Sequence, residues 1–313
     1  MKRILMILTS HRLDCLRLCV DSLAATGSFE KFDRVVWLLN GVTGKHLKYV
    51  QDLVRARPRV AWDIIAGPRG RGERISGLQN ECVRRYPESL YFKIDEDTFV
   101  STNWVEKLMR AYETHADDLA LSLITPVIPN NGAGFFFLLN AFPELADEYH
   151  RLFPHPLTPD CDGPVWRFPK VAEWITRKFL SLSEANRRLE ERGAAAGATP
   201  YPQFAYRFSI NCIVYGYRHW AEMGGIGKDD EINWSQWIQQ HGKYVVLATD
   251  TLVHHYSFFV QQEWLDRTSL LEDMRRFNLP GTTPSRPAAE LQRLARILKQ
   301  IPGILRRRLG GAT

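Results

Sequence analysis

Short apolar runs alternate with helical stripes along the first half of the chain. Ile4–Leu8 is apolar throughout, the mark of a strand buried on both faces. Leu13–Leu23 follows, with Leu16, Cys19, Val20 and Leu23 on one helical face. Val35–Leu39 predicts a second strand ending at Asn40-Gly41, and His46–Val54 a helix. Val60–Ala66 predicts a third strand, and Gly67–Gly72 is a loop rich in glycine and arginine. Ile75–Arg85 predicts a helix with Leu78 and Cys82 inward, and Leu90–Ile94 a fourth strand. This alternation predicts a parallel sheet with helices on both faces. Ligands of such sheets bind at the carboxyl ends of the strands.

The second half is less regular. Leu119–Thr125, Ser209–Tyr215, Tyr244–Ala248 and Thr251–Tyr256 read as strands, and Glu184–Arg192 as a charged helix. Pro126–Gly134 reads as a loop, Pro154–Pro169 is rich in proline and aromatics, and Gly193–Pro200 is a small-residue linker. Ala288–Ile301 places apolar residues at helical spacing, with Arg293, Arg296 and Lys299 towards the other side.

Composition narrows the class. At 313 residues, 45% hydrophobic and 24% charged, the chain is neither disordered nor collagen-like nor a coiled coil. The net charge of +6 lies entirely in Ser285–Thr313, where the only acid is Glu290. A neutral body with a basic tail argues against a nucleic-acid-binding body. The tail reads instead as a peripheral membrane anchor. The five cysteines are odd in number and form no CxxC pair, which fits a reducing compartment. The apolar run after Met1-Lys2-Arg3 is too short for a signal peptide, and no stretch is long enough to span a membrane. The expectation is a cytoplasmic protein, peripheral at the inner face of the plasma membrane.

The candidate chemistry is acidic. Asp95-Glu96-Asp97 directly follows the fourth strand. Adjacent like charges repel, and a divalent cation turns that arrangement favourable. Asp229-Asp230-Glu231 precedes an amphipathic stretch containing Trp234 and Trp237. Three acids exceed what a helix cap requires, and one is a candidate general base. His254-His255 ends a strand, so at most one of the two faces a site.

In order and spacing, these elements resemble a GT-A fold, family-2-like glycosyltransferase over residues 3–260. Thr9-Ser10-His11-Arg12 stands where such enzymes carry a T-x-N-R-like turn, and Asn40-Gly41-Val42-Thr43 where they carry a nucleotide-contacting turn. Asn80 precedes Asp95 by the family's spacing. Asp95-Glu96-Asp97 matches the D-x-D motif, Asp230-Glu231 the E-D element, and Val253–His255 the terminal V-x-H. Asn40 replaces the usual Asp, Gln79 replaces the usual Arg, and the base motif is spelled D-D-E, so Asp229, Asp230 and Glu231 compete.

The resemblance implies a Rossmann-like, mostly parallel sheet flanked by helices. Residues 1–265 would form the transferase domain, with a nucleotide-sugar half (1–125) and an acceptor half (126–265). Residues 266–313 would form a helical extension with the basic amphipathic tail. It implies a metal-dependent, inverting transfer of a sugar from a nucleotide-sugar, UDP favoured, to a glycan or lipid-linked acceptor in cell-surface polysaccharide or glycolipid synthesis. Thr9, His11, Arg12, Asn40, Arg71, Arg74, Asn80, Asp95 and Glu96 would bind the donor. Asp97, Asp95 and His255 or His254 would hold Mn²⁺ or Mg²⁺, and Asp230, with Glu231 close behind, would be the base. Asn131, Trp166 and Trp234 would face the acceptor. The competing readings are an inactive nucleotide-sugar-binding protein of the same fold, a nucleotidyltransferase, a glycoside hydrolase, and nucleic-acid binding through the tail alone.

Overall fold

Nearly continuous apolar strands pair in parallel, because only a sheet covered on both faces hides them from water. β1 (Lys2–Thr9) is parallel to β2 (Arg34–Asn40) on one side and to β4 (Ser89–Asp95) on the other, and β3 (Trp62–Gly67) extends β2 in parallel. β5 is the short Thr98–Phe99. β6 (Leu121–Val127) and β9 (Tyr244–Leu252) form a second parallel pair. β8 (Cys212–Gly216) runs antiparallel between β4 and β6, and β7 (Ala198–Tyr201) is antiparallel to β9. The eight-stranded order is β3-β2-β1-β4-β8-β6-β9-β7, and β10 (His254–His255) pairs with β5 in a separate antiparallel ribbon. These facts come from a computed structural model, which describes residues 1–158, 163–192, 198–201 and 208–279.

Strand periodicity sorts the core onto two faces. Leu5 and Ile7 of β1 join Leu16, Leu23, Trp37 and Phe92 on one face. Ile4 and Met6 join Val36, Leu38, Leu78 and Tyr91 on the other. Register aligns the strand ends: Thr9 faces Leu39, Leu8 faces Asp95, and Asn40 faces Gly67. The turns after β1, β2, β3 and β4 therefore open on one edge, with β2 and β4 on either side of β1.

The structure corrects several boundaries. β6 runs to Val127, and a helix, Gly132–Ala141, begins inside the expected 126–134 loop. Asn131 caps it, its side chain accepting from the Ala133 amide at 3.2 Å. This helix is apolar nearly all round, so it carries no stripe for a periodicity argument to find. β9 continues through the polar Thr249-Asp250, where two strands were expected. The buried Asp250 carboxylate pairs with Arg110, which makes its place inside the strand tolerable. Beyond residue 265, the helix Leu270–Asn278 packs on the body with Met274 buried and Arg275 2.8 Å from Asp21. The basic tail and Cys161 lie outside the described residues; the other four cysteines are buried free thiols. Among the described residues, no helix is long and apolar enough to cross a membrane.

Trp234, expected at the acceptor, is a core residue. It is fully buried against Tyr215 and Phe208, and its indole N–H bonds Ser122 Oγ (3.0 Å) and His219 Nε2 (2.9 Å). His219 therefore accepts at Nε2. Burial, with Lys243 nearby, pushes its pKa from about 6.5 down to about 3. The unfolded chain takes a proton here that the folded chain refuses, so this contribution is full above pH 6.5 and is lost as pH falls towards 3. The expected slope is up to about 1.4 kcal/mol per pH unit. Urea unfolding of wild type and His219→Gln between pH 7 and 4 checks it: the variant's stability should fall less steeply, and parallel curves would exclude His219 as the source.

Candidate active site

A cleft of about 740 Å³ lies at the edge where β1, β2 and β4 end. Its walls come from Leu8, the turn residues Ser10, His11 and Arg12, Asn40, the Arg69–Gly72 loop, Asp95–Asp97, Asn211, Asp229, His255 and the Ser257–Phe259 segment.

The acidic triplet separates into three environments. Asp95 is held between the buried Lys93 Nζ (2.6 Å) and Asn211 Nδ2 (2.8 Å). Burial raises its pKa to about 6, against the pull of Lys93 and with a further push from Asp97. Lys93 itself is fully buried, and its ammonium also donates to the Ile210 carbonyl at 2.8 Å. Asp97 meets His255, with Oδ2 3.3 Å from Nε2. Burial alone would raise the Asp97 pKa, but His255 and Arg12 outweigh it and hold the carboxyl low.

Glu96, expected at the donor, spends its carboxylate on the turn after β1. It accepts from Thr9 Oγ1 (2.7 Å) and from the amides of Ser10 (3.1 Å), His11 (3.0 Å) and Arg12 (3.1 Å). These donors precede the helix Leu13–Ala25, so a carboxylate occupies the positive end of its dipole. The Thr9 hydroxyl has one proton, which it gives to Glu96, so His46 Nε2 must donate to it at 2.7 Å. Thr9 is thus fully engaged inside the protein. Arg12 is likewise committed, to Asp14 at 3.2 Å and Asp266 at 3.0 Å, over the Tyr256 ring.

Strand pairing sets the two histidines on different sides. β10 places His255 opposite Thr98, beside Asp97. His254 turns the other way, its Nε2 3.2 Å from the Leu180 carbonyl. His254 is therefore not a ligand candidate. His255 Nδ1 is buried with no hydrogen-bond partner among the described residues. A carboxylate oxygen and an imidazole nitrogen converging on a cleft suit a divalent cation whose other positions are filled by oxygen. Among the described residues no group of three or more such side chains is assembled, so the fit is to a two-ligand site.

Asn40 and Asn80 both fasten loops. The Asn40 amide donates to Gly70 O (2.9 Å) and accepts from Gly70 N (2.8 Å), closing a two-bond pair. Gly41 adopts φ +67°, and a Cβ there would lie 2.5 Å or less from Arg69 atoms, so the turn and loop can touch only at glycine. The loop presents Arg69 and Arg71 to the cleft, while Arg74 bonds the Arg69 carbonyl at 2.6 Å. Asn80 lies outside the cleft. It accepts from Trp220 and from the Ile226 amide, both at 2.8 Å, and donates to the Ile226 carbonyl at 2.9 Å. Gln79, beside it, donates to Asp230 Oδ2 at 3.0 Å. Of the three competing acids, Asp229 lines the cleft, Asp230 is tied to Gln79, and Glu231 is half-buried on the first turn of the helix.

Part of the cleft lining is aromatic. Phe258 and Phe259 belong to it, Phe259 is 68% exposed, and half-buried Trp166 meets Phe259 edge-to-face with centroids 5.8 Å apart. Asn131 is buried in its capping role and does not line the cleft. Sequence reasoning missed Asn211, Phe258, Phe259, Gln262 and Lys93. A polar residue opening an apolar strand was the available signal for Asn211, and a lysine inside an apolar strand for Lys93.

No family model and no curated protein matches the sequence. Among solved structures, the chain is similar to GalNAc-T7 with UDP, GalNAc and Mn²⁺, at TM-score 0.50 and 14% identity, over 88% of this chain and 47% of that one. The chain thus spans about half the length of that relative. It is similarly close to the mannosyltransferase PcManGT from Pyrobaculum calidifontis in complex with GDP-Man and Mn²⁺, at TM-score 0.50 and 13% identity, over 99% of this chain and 79% of that one. At such identity the likeness is one of fold, and the fold is GT-A.

The Asn40–Gly70 pair yields a prediction. Asn40→Asp, which restores the residue usual in the resembling family, sets a carboxylate oxygen against the Gly70 carbonyl. It should cost about 1–3 kcal/mol in urea unfolding. Unchanged stability would show that the pair does not hold the loop.

Proposed function

We propose that this GT-A chain is a glycosyltransferase that moves a sugar from a nucleotide-diphosphate sugar to an acceptor hydroxyl. The observation that carries the reading is the convergence of Asp97 and His255, 3.3 Å apart, in a cleft at the carboxyl ends of β1 and β4. The Mn²⁺ and nucleotide or nucleotide-sugar in both similar structures support it. Asp97 and His255 would hold Mn²⁺ or Mg²⁺, which when bound would neutralise the charge that develops on the departing diphosphate.

The chain's own groups supply the rest. Arg69 and Arg71 bring fixed positive charge from a loop pinned by Asn40, suited to diphosphate oxygens. Asp95 is neutralised by Lys93 and therefore does not repel the donor's phosphates as a free carboxylate would. Asp229 stands on the cleft wall and would take the proton of the attacking hydroxyl. Asp230, tied to Gln79, supports that segment from behind. A hydroxyl activated by a base and attacking in a single displacement inverts the anomeric carbon. Phe259, braced by Trp166, offers the acceptor a flat apolar face of the kind sugar C–H groups pack on. The donor is taken as a UDP-sugar and the acceptor as a glycan or lipid-linked glycan of the cell surface.

Release of nucleoside diphosphate from a panel of UDP-, GDP- and dTDP-sugars, with Mn²⁺ and with EDTA, tests the reading. Wild type should need metal, and Asp97→Ala should lose at least about a hundredfold in release. Asp229→Ala should lower kcat by about 10²–10⁴ while donor affinity holds, and Asp230→Ala should cost less. Binding of the panel without turnover by wild type, whatever acceptor is offered, would favour the inactive homologue. Failure to bind any member would end the transferase reading.

A further inference from the structure

We infer that Glu96 and Asp266 are positioning residues that fasten Asp97 and His255 through one closed hydrogen-bond circuit, an inference that rests on the metal role proposed for that pair. The circuit starts at Glu96, whose Oε1 accepts the Arg12 amide at 3.1 Å. The Arg12 guanidinium donates to Asp266 Oδ1 at 3.0 Å, and the Tyr256 hydroxyl donates to the same oxygen at 3.0 Å. The Tyr256 amide donates to the Asp97 carbonyl at 2.9 Å, which returns the path to the residue beside Glu96.

Each half of the circuit is adjacent in sequence to one member of the pair: Glu96 to Asp97, and Tyr256 to His255. The strand pairing that brings His255 to Asp97 is only two residues long, Phe99 with His254 and Thr98 with His255. So short a ribbon is weak alone. The circuit reinforces it from the β1 turn and from the end of the helix Phe259–Leu265. Tyr256, Asp266, Glu96 and Arg12 are all buried, so water competes little for these bonds. The Arg12 guanidinium also lies 5.1 Å over the Tyr256 ring, a second contact across the same path.

Positioning makes a prediction that a purely structural role does not. Breaking a ring at one point releases it, and a second break adds little, whereas independent supports add. The test is Mn²⁺ titration of the full chain, alone and with UDP, followed by electron paramagnetic resonance of free Mn²⁺, with melting of each metal-free variant alongside. Glu96→Ala and Asp266→Ala, which remove the accepting oxygens, should each weaken Mn²⁺ binding about tenfold, the outer-shell range. The double variant should stay close to either single one. Tyr256→Phe removes one hydroxyl and keeps the packing, and it should weaken binding several-fold even if the charged-site variants fail to fold. Asp97→Ala, the control, should abolish binding. Variants that bind Mn²⁺ as wild type does, or a double variant that loses about a hundredfold, overturn the circuit and leave the metal pair standing. A wild type that binds no Mn²⁺, or an Asp97→Ala that binds it unchanged, removes the metal reading and the circuit with it.

Discussion

A single buried carboxylate, that of Glu96, holds the two turns that meet at the centre of the sheet. Glu96 has lost its water, and four donors from Thr9 to Arg12 replace that water. The exchange is favourable because those turn amides gain a charged acceptor, and the carboxylate lies by the positive end of the helix Leu13–Ala25. It also decides what the first turn cannot do. The helix N-terminus after β1 is a natural phosphate cradle in many α/β proteins. Here it is already filled by the protein's own anion, so positive charge for a ligand must come from elsewhere. The arginines of the Arg69–Gly72 loop supply it.

Burying so many charges is costly, and the pattern of pairing shows how the cost is contained. Lys93 sits wholly inside the sheet with Asp95, and Arg12 with Asp14 and Asp266. Such pairs add little net stability, because desolvation offsets their attraction. Their gain is geometric: each fixes a backbone segment that borders the cleft. Of the acids that line the cleft, Asp95 and Glu96 are spent on Lys93 and the turn after β1, while Asp97 meets His255 and Asp229 stands on the wall.

The fold was largely legible in the chain because strands buried on both faces leave unbroken apolar runs, as Ile4–Leu8 and Leu90–Ile94 do. The helix Gly132–Ala141 escaped for the same reason in reverse: burial on all sides erased its stripe. At the site, the order of motifs located the edge but not the direction of each side chain. Asp95, Glu96 and Asp97 are indistinguishable as letters, yet one faces a lysine, one a turn and one a histidine. Register decides between His254 and His255, and register depends on pairing with Thr98-Phe99, far away in sequence. The letters alone leave Trp234, expected at the acceptor, open between core and acceptor platform. Its indole N–H found Ser122 and His219 in the core instead.

The cleft draws on nearly the whole described chain, from Leu8 in the first strand to Gln262 in the helix Phe259–Leu265. During synthesis, the sheet centre of β1, β2, β3 and β4 can pair once residue 95 has emerged, but β8, between β4 and β6, arrives far later. Until then β4 presents an open edge, and Asp95 lacks Asn211. A chain that ends at residue 95 lacks Asp97, Asn211, Asp229 and His255 of the cleft lining. Contacts of such long sequence separation form slowly. The lining is thus drawn from segments far apart in the chain, and the cleft is complete only when the last of them has joined the sheet edge.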